Sequence, residues 1–167
     1  MVRRAAAQEE AINLPDFRDL SKKEAEDVLR RNHVGRLAFS FHDRVDIRPI
    51  HYVYVRGWLF GRTSPGPKLV TLGHNQWVAF QVDEISGPFD WISVVARGTF
   101  YRLENEGSDA DRRLYRRAVR AIRSLWPESL TMGDPVPFRT ELFGTSVDEI
   151  AGRACSTRRS PARKSRR

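Results

Sequence analysis

The sequence predicts a mostly β protein with flanking helices, in which six or seven antiparallel strands form a small barrel. Successive stretches of the chain alternate apolar and polar residues with a period of two, and turn residues separate them. Few segments have helical spacing, and one of them falls between two predicted strands as a crossover. Gly98 interrupts a long predicted strand, which indicates a bulge or bend of the kind that barrel corners require.

Short turns delimit the predicted strands. His42-Asp43-Arg44 separates the first two, and Arg56-Gly57 reads as a hairpin turn between the second and third. The predicted strands cover residues 34–41, 45–55, 58–63, 77–85, 91–103 and 136–150.

Three segments are predicted to be helical. Ser21 and Glu24 form a capping box for the first helix, which should end near Asn32. Residues 67–74 form a short helix with a proline in its first turn. Residues 109–126 carry an apolar stripe, with six arginines on the remaining surface.

The composition bounds the class of protein. With 167 residues, the chain has the length of one domain. Its single cysteine, Cys155, excludes an internal disulfide and a thiolate metal cage. The four histidines lack metal-helix spacing, so no metal site is predicted. No apolar run approaches a membrane span and the N-terminus lacks a secretory pattern, so a cytoplasmic location is expected.

The net charge of +8 comes from one end of the chain. Residues 151–167 contain seven basic residues and no acid, so residues 1–150 are close to neutral. A tail of this kind could bind nucleic acid or an anionic surface, but a solvated, disordered end is its commoner meaning. The predicted organisation is a flexible N-terminus over 1–13, a folded domain over 14–150 and a disordered basic tail over 151–167.

A group of cations and hydroxyls precedes the short helix. Arg62, Thr63, Ser64 and Lys68 lie within seven residues, at a spacing that can clamp a phosphate. An ordinary connection rich in Ser, Thr, Pro and Gly is the alternative. The hairpin at Arg56-Gly57 is expected to bring Arg48 beside Arg62, where the two could share an anion. A carboxylate such as Asp46 is the alternative partner for Arg48.

These residues carry a family resemblance over about residues 20–150. The chain resembles the FMN-binding split-barrel superfamily of pyridoxamine 5'-phosphate oxidase, and within it the nitroimidazole-reductase-like flavin-binding branch. The motifs that carry it are Gly35-Arg36-Leu37-Ala38, Arg48-Pro49-Ile50-His51-Tyr52, Leu59-Phe60-Gly61-Arg62-Thr63, Gly66-Pro67-Lys68 and the strand that begins at Trp91. The fold class implied is a six- to seven-stranded antiparallel split β-barrel.

The resemblance also implies roles for individual residues. Lys68, Arg62, Thr63 and Ser64 would hold the flavin phosphate. Arg48, Pro49, Ile50 and His51 would run along the ribityl chain and the ring, with Phe60 nearby. The family is a homodimer with FMN at the subunit interface, so Trp91 and Ser93 would reach the flavin from the partner subunit.

The function implied is that of an FMN-dependent oxidoreductase acting on a small molecule that the sequence does not identify. The protein would position the flavin and exclude water, while the flavin supplies the redox chemistry. Two alternatives keep the same fold. One is a reductase that uses the deazaflavin F420, whose polyanionic tail would suit the basic helix segment Arg112–Arg123. The other is a non-catalytic protein that binds flavin or haem.

Overall fold

The computed structural model describes residues 14–157, which contain seven strands and three helices. None of these three helices is both long enough and apolar enough to cross a membrane. In chain order the elements are β1 (Asp16–Asp19), α1 (Lys22–Arg31), β2 (Val34–Phe41), β3 (Arg44–Val55), β4 (Trp58–Thr63), α2 (Pro67–His74), β5 (Trp77–Gly87), β6 (Asp90–Leu103), α3 (Asp109–Leu125) and β7 (Glu141–Ser156).

The seven strands form one antiparallel sheet that closes on itself. The strand order is β1-β7-β4-β3-β2-β5-β6, and an additional pairing joins β6 to β7. Six strands therefore make a ring, while β1 extends the edge of β7. In this ring β3 and β6 lie opposite each other, three strands apart in either direction. The predicted mostly β fold with an antiparallel split barrel is confirmed.

Two tight turns fix the register of neighbouring strands. His42 and Asp43 have φ values of 49° and 60°, and Arg56 and Gly57 have values of 45° and 79°. Positive φ at both central residues is the backbone of a two-residue hairpin, whose twist matches that of the flanking strands. Both predicted turns are present.

The expected meeting of Arg48 with Arg62 is wrong. The two-residue turn pairs Val55 with Trp58, and from there the register brings Gly61 opposite Tyr52. Arg62 therefore lies at the level of His51, three residues from Arg48 along β3. Arg48 instead binds Asp46, its Nη2 lying 2.7 Å from Oδ2, which was the alternative partner considered for it.

The bulge predicted at Gly98 is present where β6 crosses β7. The register shifts between Arg97 and Gly98, so that Arg97 pairs with Glu149 and Gly98 with Val147. The extra residue on β7 is Asp148. A bulge of this kind increases the local twist and helps a sheet to close.

The two ends of the described chain differ from the expectation. Strand β1 was not predicted; it is short and exposed, and it pairs with the end of β7. The last strand begins at Glu141 rather than 136, and it continues to Ser156 rather than ending at 150. The predicted boundary of the disordered tail at 151 is therefore wrong, because β1 and β6 both pair with residues 151–156. The predicted flexible segment 1–13 and residues 158–167 lie outside the described residues.

Two apolar clusters hold the elements together. The first fills the barrel and includes Tyr52 and Phe80, with α1 closing one end through Leu29. The hydroxyl of the fully buried Tyr52 is satisfied, because it donates to the Leu29 carbonyl at 2.8 Å. The second cluster lies outside the barrel, where α3 packs Ala118 and Ile122 over β3, β4 and β7. Helix α3 therefore covers the outer face next to β4.

The segment that joins α3 to β7, residues 127–140, is here called the strap. The guanidinium of Arg62 on β4 makes two hydrogen bonds to the carboxylate of Asp134 in the strap, one of them 2.8 Å long. Their side chains are only 10% and 3% exposed. Asp134 also accepts the backbone N–H groups of Leu130 at 2.7 Å and Val136 at 2.9 Å. The strap is thus fixed to the barrel wall by a buried charge pair with further hydrogen-bond partners.

Gly98→Ala is expected to destabilise the fold, because a Cβ at this position would lie 1.8 Å from the backbone oxygen of Ser146. Forcing the strands apart should cost about 1–3 kcal/mol of unfolding free energy, measured by urea denaturation. The control is Gly87→Ala, where a Cβ on a strand residue meets nothing within 4 Å. Equal midpoints for the two variants would contradict the assignment of the bulge as a steric constraint.

Asp134→Asn is expected to lower the melting temperature at neutral pH by several degrees, because it leaves Arg62 without its counter-charge. Hydrogen bonds from Arg62 and from the backbone of Val136 and Leu130 outweigh burial and hold the pKa of Asp134 below its usual range. The carboxylate stabilises the fold above its unfolded pKa of about 3.9, and this contribution is lost as the pH falls through the lower folded value.

The gap in melting temperature between the wild type and Asp134→Asn should therefore narrow on acidification below about pH 4. Thermal melts at a series of pH values measure it, with the exposed Asp148→Asn as the control. A gap that stays constant down to the acid transition would show that Arg62 does not stabilise the Asp134 carboxylate.

Candidate functional site

A buried hydroxyl and a partly buried amine meet at the junction of β4 and α2. Lys68, in the first turn of α2, donates from Nζ to Thr63 Oγ1 at 2.6 Å. Thr63 is buried at the end of β4. Because its oxygen accepts from the lysine, the Thr63 hydroxyl proton is free to donate to another group. The pair offers two hydrogen-bond donors to one acceptor.

Two arginines surround this pair. Burial lowers the pKa of Lys68, and the charges of Arg139 and Arg48 lower it further. Within residues 14–157, neither Lys68 nor Arg139 forms an ion pair with a carboxylate, and Arg48 has only the exposed Asp46. Lys68, Arg48 and Arg139 are here called the basic cluster. A lysine whose charged form is disfavoured by burial and by two neighbouring positive charges is typical of a site for an anion.

A cavity of about 250 Å³ adjoins the basic cluster. It lies on the outer side of β3 and β4, beneath the C-terminal end of α3 and the strap. Its walls are mostly apolar, and Arg62 and Arg139 are the two basic residues that line it. The lining residues are His51, Gly61, Arg62, Ile122, Trp126, Pro135, Val136 and Arg139.

Trp126 forms the wall at the end of α3. It is the C-cap residue of that helix, and its backbone N–H donates to the Ile122 carbonyl at 3.0 Å. Its ring meets His51 edge-on, with centroids 5.8 Å apart, and His33 at 6.3 Å. These contacts fix the orientation of a large aromatic surface beside the cavity.

The predicted residues on β3 differ in their exposure. Arg48, Pro49 and His51 are exposed, whereas Ile50 is buried in the barrel interior. Only the backbone of Ile50 is therefore placed to meet a ligand in this chain. Phe60 on β4 is fully buried beneath α3, where its ring stacks on Trp58 and lies under the Arg117 guanidinium.

The predicted phosphate residues fall into two groups. Thr63 and Lys68 are in direct contact, and Ser64 follows Thr63 with a partly exposed side chain. Arg62 lies on the other side of the strand and is engaged by Asp134. Its charge is therefore already neutralised, which distinguishes it from the members of the basic cluster.

Trp91 and Ser93 lie far from the basic cluster in the same chain. Both are on β6, which is opposite β3 in the barrel ring. Trp91 packs edge-on against Phe17 with centroids 6.2 Å apart, and Ser93 Oγ accepts from Gln81 at 3.3 Å. Within one chain the fold does not bring them to the site.

Sequence reasoning missed Arg139, Trp126 and Asp134 as site residues. Arg139 and Asp134 belong to the strap, which is remote in sequence from Lys68 and has no recognisable motif. Trp126 was placed only at the end of a predicted helix. A buried arginine requires a carboxylate partner, but nothing local in the sequence identifies which acidic residue would pair with Arg62.

Comparison with solved structures shows the same fold in proteins that carry a cofactor. An FAD-binding protein from Mesorhizobium loti is 27% identical, with a TM-score of 0.67, and the match covers 84% of this chain and 99% of that one. The FAD-binding protein from Mycobacterium smegmatis is 26% identical, with a TM-score of 0.59 and coverage of 81% and 98%.

A more distant structural match and a family model agree with this fold. A protein from Bacteroides thetaiotaomicron assigned to 5-nitroimidazole antibiotic resistance has a TM-score of 0.64 at 16% identity, covering 84% of this chain and 89% of that one. The family model for pyridoxamine 5'-phosphate oxidase matches residues 21–159. With most of its length inside that match, and with a closed antiparallel barrel, the chain belongs to the pyridoxamine 5'-phosphate oxidase family of flavin-binding split barrels.

Proposed function

We propose that the chain is a flavin-dependent oxidoreductase whose basic cluster holds the phosphate of FMN, or of the FMN half of FAD. The observation that carries the proposal is the cluster itself. Lys68 is hydrogen-bonded to the buried Thr63 hydroxyl, two arginine charges are nearby, and no carboxylate within residues 14–157 pairs with Lys68. Two FAD-binding proteins with the same fold and 26–27% identity support a flavin as the ligand.

The residues fit a phosphate group. The phosphate monoester of FMN carries a charge near −2 at neutral pH and three acceptor oxygens. Lys68 Nζ and the Thr63 hydroxyl supply two donors, and Arg139 and Arg48 supply further positive charge. Bound phosphate would stabilise the charged form of Lys68, thereby relieving the mutual repulsion of the three cations.

The flavin, once bound, supplies the redox chemistry, transferring electrons between a reductant and a small-molecule acceptor. This chain's residues bind and orient it. The exposed side of β3 at Pro49 and His51 offers a surface for the ribityl chain and the ring, leading away from Lys68.

The proposal includes a homodimer in which a second copy completes the site. Trp91 and Ser93 lie on the strand opposite β3, so they can reach a flavin held by Lys68 only from another subunit. The outer face of β2, β3 and β5 offers an interface, since Val45, Ile47 and Trp77 there are 72%, 57% and 52% exposed. Exposed apolar side chains gathered on one face are typical of protein interfaces.

Lys68→Ala is expected to weaken flavin binding by about ten- to a hundredfold, the usual effect of losing a hydrogen bond to a charged group. Titration of the wild type with FMN or FAD, followed by absorbance or calorimetry, measures it, with the exposed Lys23→Ala as the matched control. Failure of the wild type to bind either flavin, or unchanged affinity in Lys68→Ala, would contradict the proposal.

The same site predicts a pH dependence. The lowered pKa of Lys68 means that phosphate binding at alkaline pH must take up a proton, so the wild-type affinity should fall as the pH rises through that pKa. The comparison begins above about pH 7, where the phosphate is fully charged. Lys68→Arg should bind without this decline, since arginine stays protonated. Identical pH profiles of flavin affinity for the wild type and Lys68→Arg would contradict the role given to Lys68.

Ile47→Asp is expected to convert the dimer to a monomer and to weaken flavin binding, because it places a charge in the proposed interface. Analytical ultracentrifugation measures the mass of wild type and variant. Met132→Asp, on a fully exposed side chain of the strap, is the control that should leave the mass unchanged. A monomeric wild type that binds flavin with full affinity would contradict the shared site.

A further inference from the structure

We propose that the cavity beside the basic cluster binds the adenylate half of FAD, with Arg139 on the second phosphate and Trp126 against the adenine. The chain would therefore select FAD over FMN. This inference rests on the proposed flavin site and adds to it the identity of the cofactor and the residues that choose it.

Arg139 belongs to the basic cluster and also lines the cavity. Its charge acts on Lys68, and its side chain also lines the cavity. In FAD the second phosphate is joined directly to the first, so a first phosphate at Lys68 brings the second to within reach of a neighbouring cation. Arg139 forms no ion pair with any carboxylate in the part of the chain that the structure describes. Its guanidinium is available for a pyrophosphate oxygen.

The cavity beyond Arg139 has the chemistry of a base pocket. Trp126 presents an oriented aromatic surface, and Ile122 and Val136 add apolar walls. Stacking on an aromatic side chain contributes about 1–3 kcal/mol per nucleic-acid base. The volume of about 250 Å³ is below the roughly 300–1,000 Å³ of most small-molecule pockets. It suits one compact heterocycle better than a tricyclic flavin together with its substrate.

The pairing of Arg62 with Asp134 favours the same occupant. It removes one positive charge from the cavity wall, which leaves Arg139 as the one lining arginine or lysine that is not neutralised by a carboxylate among residues 14–157. A single cation at the mouth of an apolar chamber matches a ligand with phosphate at one end and an uncharged base at the other. The same pair holds the strap in place before the ligand arrives, which lowers the entropic cost of binding.

The flavin ring has a different place in this arrangement. It must stay open to a reductant and an acceptor, and the exposed surface at Pro49, which does not line the cavity, provides that access. The cavity, by contrast, is covered by α3 and the strap. The two halves of FAD would thus leave the basic cluster in different directions, one toward the dimer interface and one beneath Trp126.

The test is calorimetric titration of the full-length apoprotein with FMN and with FAD. The wild type should bind FAD at least about tenfold more tightly than FMN, the effect of one additional stacked base. Trp126→Leu should lower the FAD affinity to near that of FMN and leave the FMN affinity unchanged. Val136→Trp, which fills the cavity without removing a wall, should do the same. The control is Leu125→Ala, an exposed neighbour at the end of α3.

Each result has a defined meaning. Equal affinities for FMN and FAD in the wild type would overturn the adenylate pocket while leaving the flavin site intact. A parallel loss of both affinities in folded Trp126→Leu and Val136→Trp would put the flavin ring in the cavity and overturn the assignment. Failure of the wild type to bind either flavin would overturn the proposed function as well. If Trp126→Leu does not fold, as judged by circular dichroism, Val136→Trp decides.

Discussion

Strand β7 pairs with almost the whole of β6 and, along its opposite edge, with β4 and β1. This pairing converts an open sheet into a closed ring. The bulge opposite Gly98 increases the local twist of β6 and β7 and so helps the ring to close. Because the ring has six members, β3 and β6 are held opposite each other. The position of the basic cluster, and the separation of Trp91 from it within one chain, both follow from that closure.

The site contains two kinds of cationic side chain, one paired with a carboxylate and the other not. Arg62 is buried and satisfied by Asp134, and it serves to hold the strap against the barrel. Lys68 and Arg139 lack carboxylate partners within residues 14–157, and their positive charges repel each other. Leaving cations unpaired costs folding stability, which is the expected cost of a site preorganised for an anion. The fold uses one arginine for structure so that others remain available for binding.

Much of the fold could be predicted from local signals, since alternation, turn residues and the Ser21 cap act over a few residues. The elements that local signals did not predict depend on pairing between residues that are distant in sequence. Strand β1 forms because the end of β7 offers it a partner, and residues 151–156 of β7 are extended because they pair with β6 and β1. No local pattern in the sequence requires either pairing. At the site, Lys68 and Thr63 are neighbours in sequence and were predicted together. Arg139 and Asp134 reach the site through the path of the strap, and Trp126 reaches it through the position of α3. Tertiary packing determines both.

The most direct test of the central claim is a crystal structure of the full-length protein with flavin bound. We expect the flavin phosphate within hydrogen-bond distance of Lys68 Nζ and the Thr63 hydroxyl, with the ring beside Pro49 and near Trp91 of a second subunit. A phosphate bound elsewhere, with Lys68 and Arg139 left in solvent, would contradict the account. A flavin enclosed entirely by one chain would contradict the shared site.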